Sequence, residues 1–227
     1  MQYTTWTAQL PDGGTSEEFV LTFDRGRVKR LLVLPPLFDE HNKTRRQMVE
    51  IMRRLDLAGM DCFLPDLPGC NESRAPLARQ TLSGWRQAAM DAARAVSATT
   101  LFAIRGGALV MPETLPGYVY TPAKGAQLLR AMIRARTIAA REAGREEKAS
   151  DLLEKGRSEG LELAGWQLGP QFIREFEIAE PTMRDDLRLI EQAEIGGSPL
   201  WLRAEPDDDP EQADAIAAII ASAELSE

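Results

Sequence analysis

Residues 101–104 form an apolar run that stops abruptly at Arg105-Gly106-Gly107, and helix-compatible sequence resumes at 108–111. A buried strand that meets glycines in this way turns sharply and lifts the side chain at the turn above the sheet edge. Serine or cysteine at that place, with a histidine to take its proton, would be an acyl-transfer nucleophile. Here the position holds arginine, whose guanidinium is neither nucleophilic nor deprotonated at working pH. The single histidine, His41, precedes the turn, whereas the base of a strand–turn–helix site follows its nucleophile in the chain. Both halves of the proton-transfer pair are missing, so the sequence carries no Ser-His-Asp triad.

A fixed cation at such a turn suits a different chemistry. With the backbone N–H groups of Gly106 and Gly107 and those of the Leu37-Phe38 loop, Arg105 would present positive potential to a carboxylate, phosphate or sulfate, in a pocket also lined by Asp66 and Ser73. The alternative is an internal ion pair of Arg105 with Asp66, Asp39 or Glu40, and both readings stand at this stage. Ser73 and Cys70 are nucleophiles without an identifiable base, and Ser73 reads more simply as a turn or cap residue. His41 reads as a solvated loop histidine. Asp207-Asp208-Asp209 precede Pro210 and Gln212, which is a helix start rather than an acidic site. One histidine and two cysteines eight positions apart make no metal-ligand set, and nothing implies a cofactor.

The elements that would hold these residues alternate between strand and helix. Strands are expected at 4–10, 18–23 and 28–34, separated by turn chemistry at 11–14 and 24–27. A helix at 43–57, with Met48, Ile51, Met52 and Leu55 at helical spacing, leads to a strand at 61–64 and a helix at 83–98. This alternation implies βαβ units, hence the α/β class: a mainly parallel sheet flanked by helices. An arginine-rich helical stretch at 124–145, with charged sequence after it, reads as a cap inserted at about 122–160 in one domain spanning 1–227. Arg130, Arg134, Arg141 and Arg145 fall near one face and Leu128, Leu129, Met132 and Ile133 near another. The arginine face is either a docking surface or a solvated face interleaved with Glu142, Glu146 and Glu147, and the cap is a place for homo-oligomer contact. Strand-like sequence is expected again at 161–168 and 199–203, helical sequence at 170–178 and 182–194, and a last helix from Pro210.

Several of these blocks, in order, resemble a known family. They are 35–46 (PPLFDEHNKTRR), 64–73 (LPDLPGCNES), the elbow 104–109 (IRGGAL), 122–136 and 161–166 (LELAGW), and together they span about residues 30 to 205. The chain is similar to the second type of exosortase A system-associated hydrolase-like proteins, a bacterial branch of the α/β-hydrolase superfamily linked to exopolysaccharide loci. The resemblance implies an α/β-hydrolase-like fold with a small helical cap and a role in an exopolysaccharide or protein-sorting pathway. It also implies that arginine at the elbow is characteristic of the family; His41 departs from its pattern, which has an apolar residue there. The resulting expectation is a non-hydrolytic protein that binds a small anionic ligand or a protein partner. Its rival is a genuine hydrolase of ester, thioester or peptide bonds that uses unconventional residues.

Composition narrows the partners. A formal charge of −8 and a pI near 4.9 oppose binding to nucleic acid or to anionic lipid surfaces. The N-terminal residues lack the basic and apolar regions of a signal peptide, and no apolar run would insert in a membrane. With two cysteines that make no disulfide framework, a cytoplasmic location is expected.

Overall fold

The computed structural model describes residues 1–222. The chain opens with a hairpin of β1 (Gln2–Gln9) and β2 (Thr15–Phe23), closed by a turn in which Leu10 N donates to Gly14 O at 2.8 Å. Then follow β3 (Arg30–Leu34), α1 (Asp39–Leu57), β4 (Asp61–Pro65), α2 (Leu82–Ala95), β5 (Thr100–Ile104) and β6 (Gly117–Tyr120). The remaining elements are α3 (Gly125–Glu142), α4 (Ala149–Glu159), β7 (Leu161–Leu163), β8 (Trp166–Leu168), α5 (Pro170–Ile178), β9 (Leu187–Ile190), α6 (Gln192–Ile195) and α7 (Pro210–Ser222). Seven strands form one sheet in the order β1-β2-β4-β3-β5-β6-β9, antiparallel as far as β4 and parallel from β4 to β9.

Alternation along the central strands divides the core in two. Leu32, Leu34, Leu101 and Ala103 face one way, toward α2 and the cap helices, while Leu31, Val33, Phe102 and Ile104 face α1 and α7. Strands covered on both faces are apolar at every position, which is why β3 and β5 read as continuous runs. The apolar stripe of α1 lies against the second core, as its spacing predicts. Thr81 caps α2 by accepting Gly84 N at 2.9 Å, and Asp209 does the same for α7 at Glu211 N and Gln212 N.

Between β6 and β9 the chain builds a cap. α3 buries Leu128, Leu129, Met132 and Ile133 and exposes Arg130, Arg134 and Arg141, and it packs with α4 and α5. It ends at Glu142, so Arg145 lies beyond it. The hairpin of β7 and β8 replaces the continuous strand expected over 161–168, with Gly165 at φ 83 supplying the turn. Within the expected helix 182–194, residues Leu187–Ile190 are instead strand β9. Pairing with β6 overrides the local pattern there, and only Gln192–Ile195 is helical. The stretch 199–203, expected to be strand, is a 3₁₀ turn at Leu200–Leu202 that turns Trp201 inward. No helix among the described residues is long and apolar enough to cross a membrane.

Candidate functional site

β5 delivers Arg105 at the C-terminal edge of the sheet with φ 53. A non-glycine residue held in the left-handed region costs about 1–3 kcal/mol and persists only where its surroundings over-determine it. Gly107 is one reason it persists, because a Cβ there would lie 2.5 Å from both Leu34 O and Pro35 O. The segment after Arg105 is a 3₁₀ turn over Arg105–Val110, in place of the expected α-helix start.

The guanidinium is engaged by its own chain at each of its three nitrogens. Arg105 Nε and Nη2 donate to Glu40 Oε2 and Oε1 at 3.2 Å each, and Nη1 donates to Thr121 O at 3.2 Å. Its central carbon lies 4.6 Å from the centre of the Trp201 ring. Of the three carboxylates the sequence offered, Glu40 is therefore the partner. Both side chains are only 18% exposed. Burial raises the Glu40 carboxyl above its ordinary range, and Arg105 pulls it back. Phe38 (φ 59), just before the α1 turn that carries Glu40, and Thr121 (φ 42) are also left-handed, so backbone strain gathers around this one cation.

Side chains fill the space above the elbow. A Cβ on Gly106 would lie 2.7 Å from Leu128 Cδ1 and 3.1 Å from Leu37 Cγ, so the first cap helix and the loop after β3 close directly over it. The ring of Phe38 is wedged among Trp85, Trp166, Phe172 and Phe176, with centroids 5.5 to 5.8 Å away. Leu37 thus lies against Gly106, and both Leu37 and Phe38 are buried core side chains.

Asp66 and Ser73 lie apart from Arg105, with other partners. Asp66 is buried at the end of β4, where Asn71 Nδ2 donates to it at 2.5 Å and Arg45 Nη1 stands 3.6 Å away. Burial raises its pKa against the pull of Asn71 and Arg45. With Tyr3, Phe19, Arg45, Asn71 and Glu72 it lines an open cleft. Ser73 Oγ donates to Glu18 Oε1 at 2.8 Å and accepts Gly69 N at 2.8 Å and Ala75 N at 3.2 Å. An oxygen so occupied pins a loop. Glu18 is fully buried, and desolvation raises its carboxyl pKa.

His41, expected in solvent, is a correction. It lies in the first turn of α1, 6% exposed, with Nε2 2.9 Å from Arg45 Nη1. Burial, and then the Arg45 charge, push its pKa down to about 3. Cys70 is buried as well, and burial pushes its thiol pKa up. Sequence reasoning missed Trp201 and Thr121, whose contacts with Arg105 join segments far apart in the chain. The only signal for Thr121 was its place just after β6.

No family model matches the chain, and no curated protein matches it. Solved structures do. Alpha/beta hydrolase domain-containing protein 10 from mouse superposes with a TM-score of 0.59 at 14% identity, over 100% of both chains. A candidate hydrolase from Agrobacterium vitis S4 gives 0.55 at 12% identity over 100% of this chain and 99% of that one. The esterase domain of a Rhodothermus marinus protein gives 0.52 at 12% identity over 98% and 97%. At these identities the likeness is one of fold, and the fold of this chain is that of the α/β-hydrolases.

Proposed function

We propose that this chain is a non-hydrolytic α/β-hydrolase-fold protein that binds a small anion through Arg105, in competition with Glu40. The side-on Arg105–Glu40 pair supports this reading. It puts a cation where acyl transfer needs a nucleophile, and it displays the planar, two-point contact by which a guanidinium selects a carboxylate, phosphate or sulfate. An acidic side chain of a partner protein offers the same chemistry. Placing this binding in an exopolysaccharide or protein-sorting pathway rests on the resemblance of the ordered sequence blocks, and a cytoplasmic location on the paucity of cysteines.

The rival reading, hydrolysis by unconventional residues, has Ser73 and its contact with Glu18 as its best support. Turnover of p-nitrophenyl esters and acyl thioesters by wild type, Arg105→Ala and Ser73→Ala separates the two. The expected result is no turnover above buffer in any of them. Turnover that falls in either variant supports the rival.

A further inference from the structure

β1 is one outer strand of the sheet, and its backbone parity follows from three hydrogen bonds. Leu10 N donates to Gly14 O at 2.8 Å, so Leu10 faces β2. Alternation then turns Ala8, Trp6 and Thr4 toward β2, and Gln9, Thr7, Thr5 and Tyr3 outward. Asp66 N donates to Phe19 O at 2.8 Å, so Phe19, the partner of Thr5, faces β4, which requires the same parity. Gln9 N already donates to Asp91 Oδ2 at 3.3 Å, which closes that end of the edge. The N–H and C=O groups of Tyr3, Thr5 and Thr7 thus point away from the sheet, and no strand lies against them among the described residues.

Edge strands are normally shielded by charge, proline, a bulge or shortness. The opposite edge follows that rule: β9 has four residues, and its Arg188 pairs with Glu194 at 3.5 Å. β1 does not. Its eight residues, QYTTWTAQ, include no charge and no proline, and threonine and aromatic residues predominate. Beside it on the same face, Tyr3 is 58% exposed and Phe19 40% exposed.

We propose that β1 pairs with β1 of a second copy of this chain, antiparallel, about a two-fold axis at Thr5. The outward set is self-complementary in that register. Thr5 stands opposite Thr5 of the second copy, and Tyr3 opposite Thr7, each pair exchanging both N–H···O bonds. A neutral strand lets the same residue types face one another without like-charge repulsion. The pairing continues the seven-stranded sheet into its copy and sets the exposed Tyr3 ring beside Thr7 of the second copy. An interface of strand edges and a few rings falls at the small end of stable contacts, so the dimer is reversible in the micromolar range. The charge of −8 on each copy opposes it, so added salt strengthens it.

Sedimentation velocity over about 1–200 µM, the range such an interface implies, should show a reversible shift toward twice 25.1 kDa, larger at high salt. Thr5→Pro removes only an outward N–H, which an edge tolerates, and Thr5→Lys opposes two ammonium groups. Each should weaken dimerisation at least about tenfold while leaving Tm unchanged. Thr5→Cys should cross-link to itself on oxidation and Tyr3→Cys should not, because residue 3 faces residue 7; Cys62 and Cys70 are buried and do not compete. A monomer at every concentration overturns the proposal. So does a dimer insensitive to both Thr5 substitutions, or one in which Tyr3→Cys cross-links as readily as Thr5→Cys.

Discussion

Glu40 accepts two hydrogen bonds of 3.2 Å from Arg105, a residue 65 positions away, and so answers from the start of α1 a charge set at the end of β5. The elbow that presents a nucleophile in acyl-transfer enzymes is here the centre of a clamp. Through Arg105 it joins α1, the end of β6 at Thr121, and the turn that carries Trp201.

The pair contributes to stability mainly by its completeness. Removing one partner of a fully buried pair costs about 3–5 kcal/mol, and partial exposure brings the expectation for Arg105→Ala or Glu40→Ala to about 2–3 kcal/mol. Urea unfolding of both single variants and the double variant checks this. The double variant should lose about 1 kcal/mol or more less than the sum, since each single change leaves the other charge unpaired.

In the proposed reading, Glu40 also couples anion binding to pH. Its carboxyl is raised by burial, so it protonates more readily than an ordinary glutamate as pH falls, and protonation releases Arg105. Sulfate, whose charge is constant over this range, should bind wild type more tightly at pH 5 than at pH 8. In Glu40→Gln the same comparison should be flat.

His41 makes stability fall on acidification. The unfolded chain takes up a proton near pH 6.5, whereas the folded chain resists until about 3, so this contribution is full above 6.5 and is lost between those values. Each pH unit in that window costs up to about 1.4 kcal/mol. His41→Gln keeps an acceptor for Arg45 and does not titrate. Chemical denaturation at pH 7, 6, 5 and 4 should show a shallower decline for the variant than for wild type.

Gly107→Ala should be among the most damaging single changes. Its Cβ would meet two backbone oxygens at 2.5 Å, and backbone cannot rotate aside. A loss of at least about 3 kcal/mol is expected, seen as a Tm lower by roughly 10 °C or as insoluble protein.

Much of the fold was legible because the core is built from short range. β3, β5 and α1 announce themselves by apolar runs and helical spacing, and the elbow by a strand that ends on Arg105-Gly106-Gly107. What was not legible depends on distant partners. β9 looks helical until β6 supplies its hydrogen bonds, and the contact of Glu18 with Ser73, 55 residues on, exists only in the folded chain. His41 illustrates the same limit. A polar residue after Pro-Pro-Leu-Phe-Asp-Glu reads as loop, and only the packed fold buries it in the first turn of α1. The elbow arginine was found from sequence, but the choice among Asp66, Asp39 and Glu40 required the three-dimensional position of the α1 start.

The central claim is that Arg105 is an anion-binding group held by an internal carboxylate. Calorimetric titration of sulfate into wild type, Glu40→Gln, and the Glu40→Gln/Arg105→Ala double variant tests it most directly. The account predicts that Glu40→Gln binds at least about tenfold more tightly than wild type and that the double variant shows only heat of dilution. The same weak response from all three proteins would contradict it and leave the Arg105–Glu40 pair a purely structural clamp.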